Sequence, residues 1–345
     1  MKEREYRFDI IRLISTLLVV VIHFSNQYCR YLPQIKSVSF IAASCFNAIG
    51  RISVPLFFMI SGALTLNRDI SPQKLKNKII HFLSILVSWT LIYIIFDIYF
   101  MKYEFTKEQY LTLIYDNLKP HLWFMYVIIA LYIISPFARI LAVHMSKNQK
   151  KYFLALWIIF CGGSSLLRIV FDWFEIKTTL SYEIPLVQGT YYLGYFLAGS
   201  ILYEAVKNGL KLNKCVLTLV FILSDAVTIG GTLLYSFRND SFYSQFLAYR
   251  CLPVMLASLS LYLLIISVRE IKIGFFTRFL SFTSPLLFGV YLIHIIYFDI
   301  IVRTLPVLNI PSCYGIPLFS VITFTVSLLS IWILSEIPLI KKIVK

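Results

Sequence analysis

Hydrophobic residues run along this chain in long blocks rather than with the alternation of a half-buried strand or the single stripe of a soluble helix. A segment needs about 20 apolar residues to cross a hydrocarbon core about 30 Å thick. Ten blocks qualify, at roughly 8–27, 38–66, 79–101, 121–143, 152–171, 183–206, 215–237, 245–268, 282–304 and 314–340. The polar stretches between them are short, so no water-soluble domain is inserted, and no internal repeat is visible, which disfavours an inverted-repeat transporter. The pattern predicts an all-α, polytopic integral membrane protein with about ten transmembrane helices, forming a single domain over residues 1–345.

Composition supports this and removes the alternatives. Of 345 residues, 59% are hydrophobic and only 14% charged, where soluble domains carry about 25% charged residues. A chain this apolar could not hide its surface in one globule. The net charge of +15 would suit a nucleic-acid binder, but too little polar sequence exists to build such a surface. The six cysteines show no paired spacing, so neither a disulfide scaffold nor a metal or redox centre is expected.

The basic residues fall unevenly. One set of connections holds nineteen of them, including Lys2, Arg4 and Arg7 before the first span, Arg68 to Lys78 after the second, and Lys341 to Lys345 at the end; the opposite set holds seven. The positive-inside rule therefore places both termini in the cytoplasm. The first span contains Asp9 and Arg12 and has no small-residue cleavage site, so it reads as a retained helix rather than a signal peptide.

Six arginines lie within the predicted spans, and ionisable groups there are costly enough to count as functional candidates. Arg12 and His23 are eleven residues apart, which is three helical turns plus about 20°, so both lie on one face about 16 Å apart. Thr16 and, slightly off axis, Asn26 share that stripe. In the second span, Asn47 and Arg51 share a face, Pro55 is expected to kink the helix, and Ser61 with Gly62 permits close helix approach. Arg51 needs a partner, and Asp97, Asp225 and Asp299 are available acids. Lys78 and His81 stand together at a helix start on the cytoplasmic side, with Lys74 and Lys76 just before them. His121-Leu-Trp-Phe124 opens the fourth span, and Tyr291 and His294 share a face of the ninth. Asp299 and Arg303 read as an i,i+4 pair of structural type.

These residues resemble a known family. Phe8-Asp-Ile-Ile-Arg12, ten residues and then His23 is similar to the Arg-x10-His signature of the membrane acyltransferase-3 family. Arg51 to Gly62 resembles its second-helix segment, Gly289 to His294 its late G-x-Y-L-x-H segment, and His121 to Phe124 a segment of the branch that includes the enterobacterial common antigen O-acetyltransferase. The four motifs stand in register over nearly the whole chain. One departure is that Lys78-Ile-Ile-His81 stands where the family often has Arg-x-x-Arg, and a histidine is charged only part of the time near neutral pH.

The resemblance implies a multi-pass protein of the bacterial inner membrane that moves an acyl group, acetyl foremost, from cytoplasmic acyl-CoA to a hydroxyl of a cell-surface or lipid-linked glycan. No permanently bound cofactor or metal is implied, acyl-CoA being a co-substrate, and a homodimer is left open. Lys74, Lys76, Lys78, His81 and Arg12 are then expected to hold the phosphates of the donor. An extended pantetheine arm would span the Arg12–His23 separation, and His23 would act as general base. Arg51 or Tyr291 would stabilise the oxyanion, His294 would take part nearby, and Asn26, His121 and Trp123 would meet the acceptor. The competing reading is a transporter or flippase for a glycan or lipid-linked precursor, which would need no acyl donor.

Overall fold

The computed structural model describes residues 4–106, 119–176, 190–268 and 274–344. All regular structure among them is helical. The helices are α1 (Tyr6–Tyr31), α2 (Val38–Gly50), α3 (Ser53–Leu66), α4 (Pro72–Tyr99), α5 (Trp123–His144), α6 (Lys147–Trp173), α7 (Thr190–Lys207), α8 (Lys214–Asn239), α9 (Leu252–Ile266), α10 (Phe275–Thr283), α11 (Leu287–Thr304), α12 (Ser312–Leu334) and α13 (Pro338–Val344).

Nine segments among the described residues are long and apolar enough to cross a membrane, with α2–α3 and α10–α11 each counted as one broken span. The predicted span at 183–206 overlaps α7, and its first part lies outside the described residues. The protein is a polytopic membrane protein, and its outer surface shows why. On α4, Leu83, Val87, Leu91 and Ile95 are exposed at four-residue spacing, while Ile85, Trp89, Tyr93 and Asp97 turn inward with the same spacing. Lipid-facing apolar residues cost nothing to expose, so burial here is decided by packing and polar pairing rather than by hydrophobicity.

Helix α1 is the central element, touching α2, α3, α9, α10, α11 and α12. Two ends of the bundle can be told apart. At one, Glu5 accepts from the Tyr203 hydroxyl at the end of α7, Arg7 donates to the Ile266 carbonyl at the end of α9, and Asp9 meets Ser284. Lys150 pairs with Glu204 at the same end of α7, and Lys207 closes that helix, so this is the basic end. At the far end, the Tyr28 hydroxyl is 2.6 Å from the Val307 carbonyl and Ser312 bonds Ser39.

Three local features place the site. The second span is broken at Arg51–Ile52, not merely bent: Pro55 falls in the first turn of α3 and has no N–H for the Arg51 carbonyl four residues earlier, so α2 ends and α3 starts afresh. In α5, Pro136 leaves the Tyr132 carbonyl without its helical donor, and the Ser135 hydroxyl takes it over at 2.8 Å. Helices α3 and α7 meet backbone to backbone: a Cβ on Gly62 would strike the Phe196 carbonyl, and one on Gly199 would strike the Met59 backbone. The glycines allow an approach no other residue would permit.

All six cysteines are free, and Cys29 is buried within α1 against Ser44. The expected pair of Asp299 with Arg303 does not form. Arg303 donates to the Met101 carbonyl, and Asp299 joins Asp97 around Lys119, at 2.8 and 2.7 Å.

Candidate active site

Three histidines from three distant parts of the sequence meet inside the bundle. The His23 ring is 5.1 Å from that of His294, and His294 is 5.2 Å from His121. Helix α1 supplies the first, α11 the second, and the turn entering α5 the third. His294 is fully enclosed. Its Nδ1 lies 2.6 Å from the Tyr291 carbonyl, which has no proton to give, so Nδ1 is the donor and Nε2 the bare acceptor. That Nε2 is buried without a partner. His121 is arranged alike: Nε2 meets the Leu292 carbonyl at 3.3 Å and Nδ1 is buried and unpartnered. Two orphaned acceptors in a dry interior are costly, and such orphans collect where a reaction uses them.

His23 differs from the other two. It is half-buried, and among the described residues it touches His294 and Phe298 by ring contacts but makes no hydrogen bond. Among the described residues no carboxylate orients it. Its imidazole is therefore the one whose nitrogens are both free to meet a hydroxyl.

Arg51 is anchored just beyond. Its Nε donates to Asn47 Oδ1 at 2.8 Å and its Nη2 to Asn26 Oδ1 at 3.2 Å, while Asn47 Nδ2 donates to Asn26 at 2.7 Å. Among the described residues no acid pairs with Arg51; two amide oxygens and the Tyr249 hydroxyl hold it. The break after Gly50 turns the residue inward from the end of α2. Arg51 also donates to the Tyr249 hydroxyl, and with five N–H groups it has donors to spare. Asn26 stands one helical turn above His23, about 4.5 Å along the axis, and forms part of the wall of a cavity of about 610 Å³ with Arg30, Arg51, Tyr191, Tyr249 and Arg250.

The remaining expected residues are distributed as follows. The Tyr291 hydroxyl donates to the His121 carbonyl, so it is committed to holding the histidine cluster. His121 lies behind His294, not in the far-end cavity. Trp123 packs 5.1 Å from Tyr192 and 5.8 Å from Tyr249, behind the cavity wall.

At the basic end, Arg12 pairs with Asp9 at 2.9 Å, and Asp9 also accepts from Arg4 at 2.7 Å and from Ser284. Lys78 reaches inward, its ammonium 3.7 Å above the Tyr132 ring and 3.3 Å from the Thr65 hydroxyl. Arg12 is close enough to act electrostatically on the same tyrosine. His81 stands half-buried against Phe82. Lys74 and Lys76 are exposed. Two positions from Lys78 on a helix is about 200°, so Lys76 points away from this cluster.

Tyr132 and Thr65 were not singled out in the sequence, and Asp9 was noted only as a charge in the first span and its motif. Asp9 had a signal, being a carboxylate three residues before Arg12; Tyr132 and Thr65 had none, because an aromatic or a threonine in a span is ordinary. Asn47 was legible through its i,i+4 spacing to Arg51.

Residues 5–336 match the model of a protein family described as an acyltransferase domain. No curated protein and no solved structure matches the chain.

Proposed function

The chain belongs to the acyltransferase-3 family and is an acyltransferase, and from that premise we propose that it carries an acyl group, acetyl foremost, from acyl-CoA at the basic end to a glycan hydroxyl at the far end, with His23 as general base. The observation that carries this reading is the half-buried His23, which makes no hydrogen bond among the described residues, is backed by His294 and stands on one helix between a basic cluster and a polar cavity.

The basic end is the cytoplasmic end, and the membrane is the bacterial inner membrane. Lys78 and Arg12 take the donor's phosphates, with His81 beside them and Lys74 at the rim. The pantetheine arm runs along α1 over about 16 Å and presents its thioester near His23. A sugar hydroxyl from the far end loses its proton to an imidazole nitrogen of His23 as its oxygen bonds to the thioester carbonyl carbon. The remaining N–H groups of Arg51 steady the oxyanion that forms. When the tetrahedral species collapses, the carbon–sulfur bond breaks, the thiolate of CoA leaves, and the proton on His23 goes to that sulfur. Ester and free CoA are the products, and His23 returns to its starting state. His294 positions the base and supplies a second acceptor behind it.

Transfer of labelled acetyl from acetyl-CoA to a saccharide in proteoliposomes tests this. Ester-linked label on the saccharide supports the reading. Passage of unmodified saccharide across the bilayer with no dependence on acetyl-CoA overturns it in favour of a transporter.

A further inference from the structure

The far-end cavity holds more positive charge than a neutral acceptor needs. Arg30, Arg51 and Arg250 all line it, and no carboxylate does among the described residues. Arg51 is held by neutral groups, the Asn47 and Asn26 amide oxygens and the Tyr249 hydroxyl, and neither Arg30 nor Arg51 forms an ion pair among the described residues. This runs against the general distribution, since the connections at this end carry seven basic residues against nineteen at the other. Cations near a membrane interior are costly and are kept for a partner. The rest of the wall is suited to sugar: Tyr191 and Tyr249 offer ring faces and Gln245 an amide. A volume of about 610 Å³ lies within the range of small-molecule sites.

The geometry points to an acidic saccharide as the acceptor, its carboxylate or diphosphate held by Arg30 and Arg250 while Tyr191 and Tyr249 pack on sugar rings and the hydroxyl to be acylated reaches past Asn26 to His23. Planar guanidinium groups match both anions in two-point contact. This inference rests on the proposed acyl transfer and names the substrate class for it.

The full-length protein is tested in proteoliposomes with labelled acetyl-CoA and three acceptors. These are a tetrasaccharide alternating glucuronic acid with N-acetylglucosamine, its carboxyl-reduced counterpart, and polyprenyl-diphosphate-linked N-acetylglucosamine. Equilibrium binding of the fluorescent glucuronate and diphosphate compounds to solubilised protein, without acetyl-CoA, is measured in parallel. The expected result is a KM at least tenfold higher for the carboxyl-reduced chain, with the KM for acetyl-CoA unchanged. Arg30→Gln weakens anion binding about tenfold, Arg30→Lys much less, and 0.5 M salt weakens it in the parent. Use of the diphosphate-linked compound but not the free glucuronate chain assigns the anion to the lipid carrier. Equal transfer to charged and carboxyl-reduced chains overturns the anion site and leaves acyl transfer standing. Anion binding without transfer to any acceptor does the reverse. Neither binding nor transfer overturns both.

Discussion

Replacing His23 by alanine isolates chemistry from folding unusually well. Most buried polar residues leave an orphaned partner when removed, which costs about 1–3 kcal/mol. His23 makes no hydrogen bond among the described residues, so its loss removes ring contacts with His294 and Phe298 and orphans no polar partner, about 1 kcal/mol of stability. A positioned general base contributes about 10²–10⁴ in rate, equivalent to about 2.7–5.4 kcal/mol at 1.36 kcal/mol per decade. The variant is therefore expected to insert and melt as the parent does while its transfer rate falls at least a hundredfold. The KM for acyl-CoA should hold, because Arg12 is three turns away along α1 and Lys78 lies with Thr65 and Tyr132 at the basic end. Added imidazole should restore part of the rate by filling the space left. The assay is initial-rate transfer of labelled acetyl in proteoliposomes, alongside thermal unfolding in detergent. A normally folded His23→Ala protein that keeps a tenth or more of the parent rate refutes the assignment of the base.

Four further outcomes follow from the geometry. Lys78→Met should raise the KM for acetyl-CoA about tenfold with the rate at saturation little changed, whereas Lys76→Met, on the opposite face of α4, should leave both alone; steady-state kinetics separates them. Gly62→Val should prevent α3 and α7 from closing, because the Phe196 carbonyl occupies the space a side chain needs, and overpacking of this kind costs about 1–3 kcal/mol or more; lost monodispersity and a lower melting temperature would show it. Lys119→Met strands two carboxylates around one site, a loss of about 3–5 kcal/mol for a fully buried pair, while the triple change with Asp97→Asn and Asp299→Asn should recover much of the melting temperature. Burial alone would lower the pKa of Lys119, but Asp299 and Asp97 more than offset this and raise it. Its folded-state pKa then exceeds its unfolded one, so its contribution is fully present below the ordinary lysine range and is lost only as pH rises through the raised value. The parent's melting temperature should fall off above about pH 10.5, and that alkaline fall should be smaller in the triple variant.

The block pattern of apolar residues determined by itself that this is a helical membrane protein, because in lipid every backbone polar group must be satisfied within its own helix. It also located the spans, and the helical period placed Arg12 and His23 on one face and Asn47 beside Arg51, since those relations lie within a single helix. What lay between helices was not legible. That His294 and His121 close on His23, that Lys78 faces Tyr132, and that Arg51 is held by amides and a tyrosine hydroxyl rather than by any of three available acids depend on how helices far apart in sequence pack. Asp299 shows the difference most plainly: its local spacing favoured Arg303, but a lysine 180 residues away along the chain reaches it at 2.8 Å. Lipid gives no hydrophobic drive to choose among helix packings, so small-residue contacts such as Gly62 on Phe196 and the pairing of buried polar groups decide them, and both require partners that periodicity along one helix does not reveal.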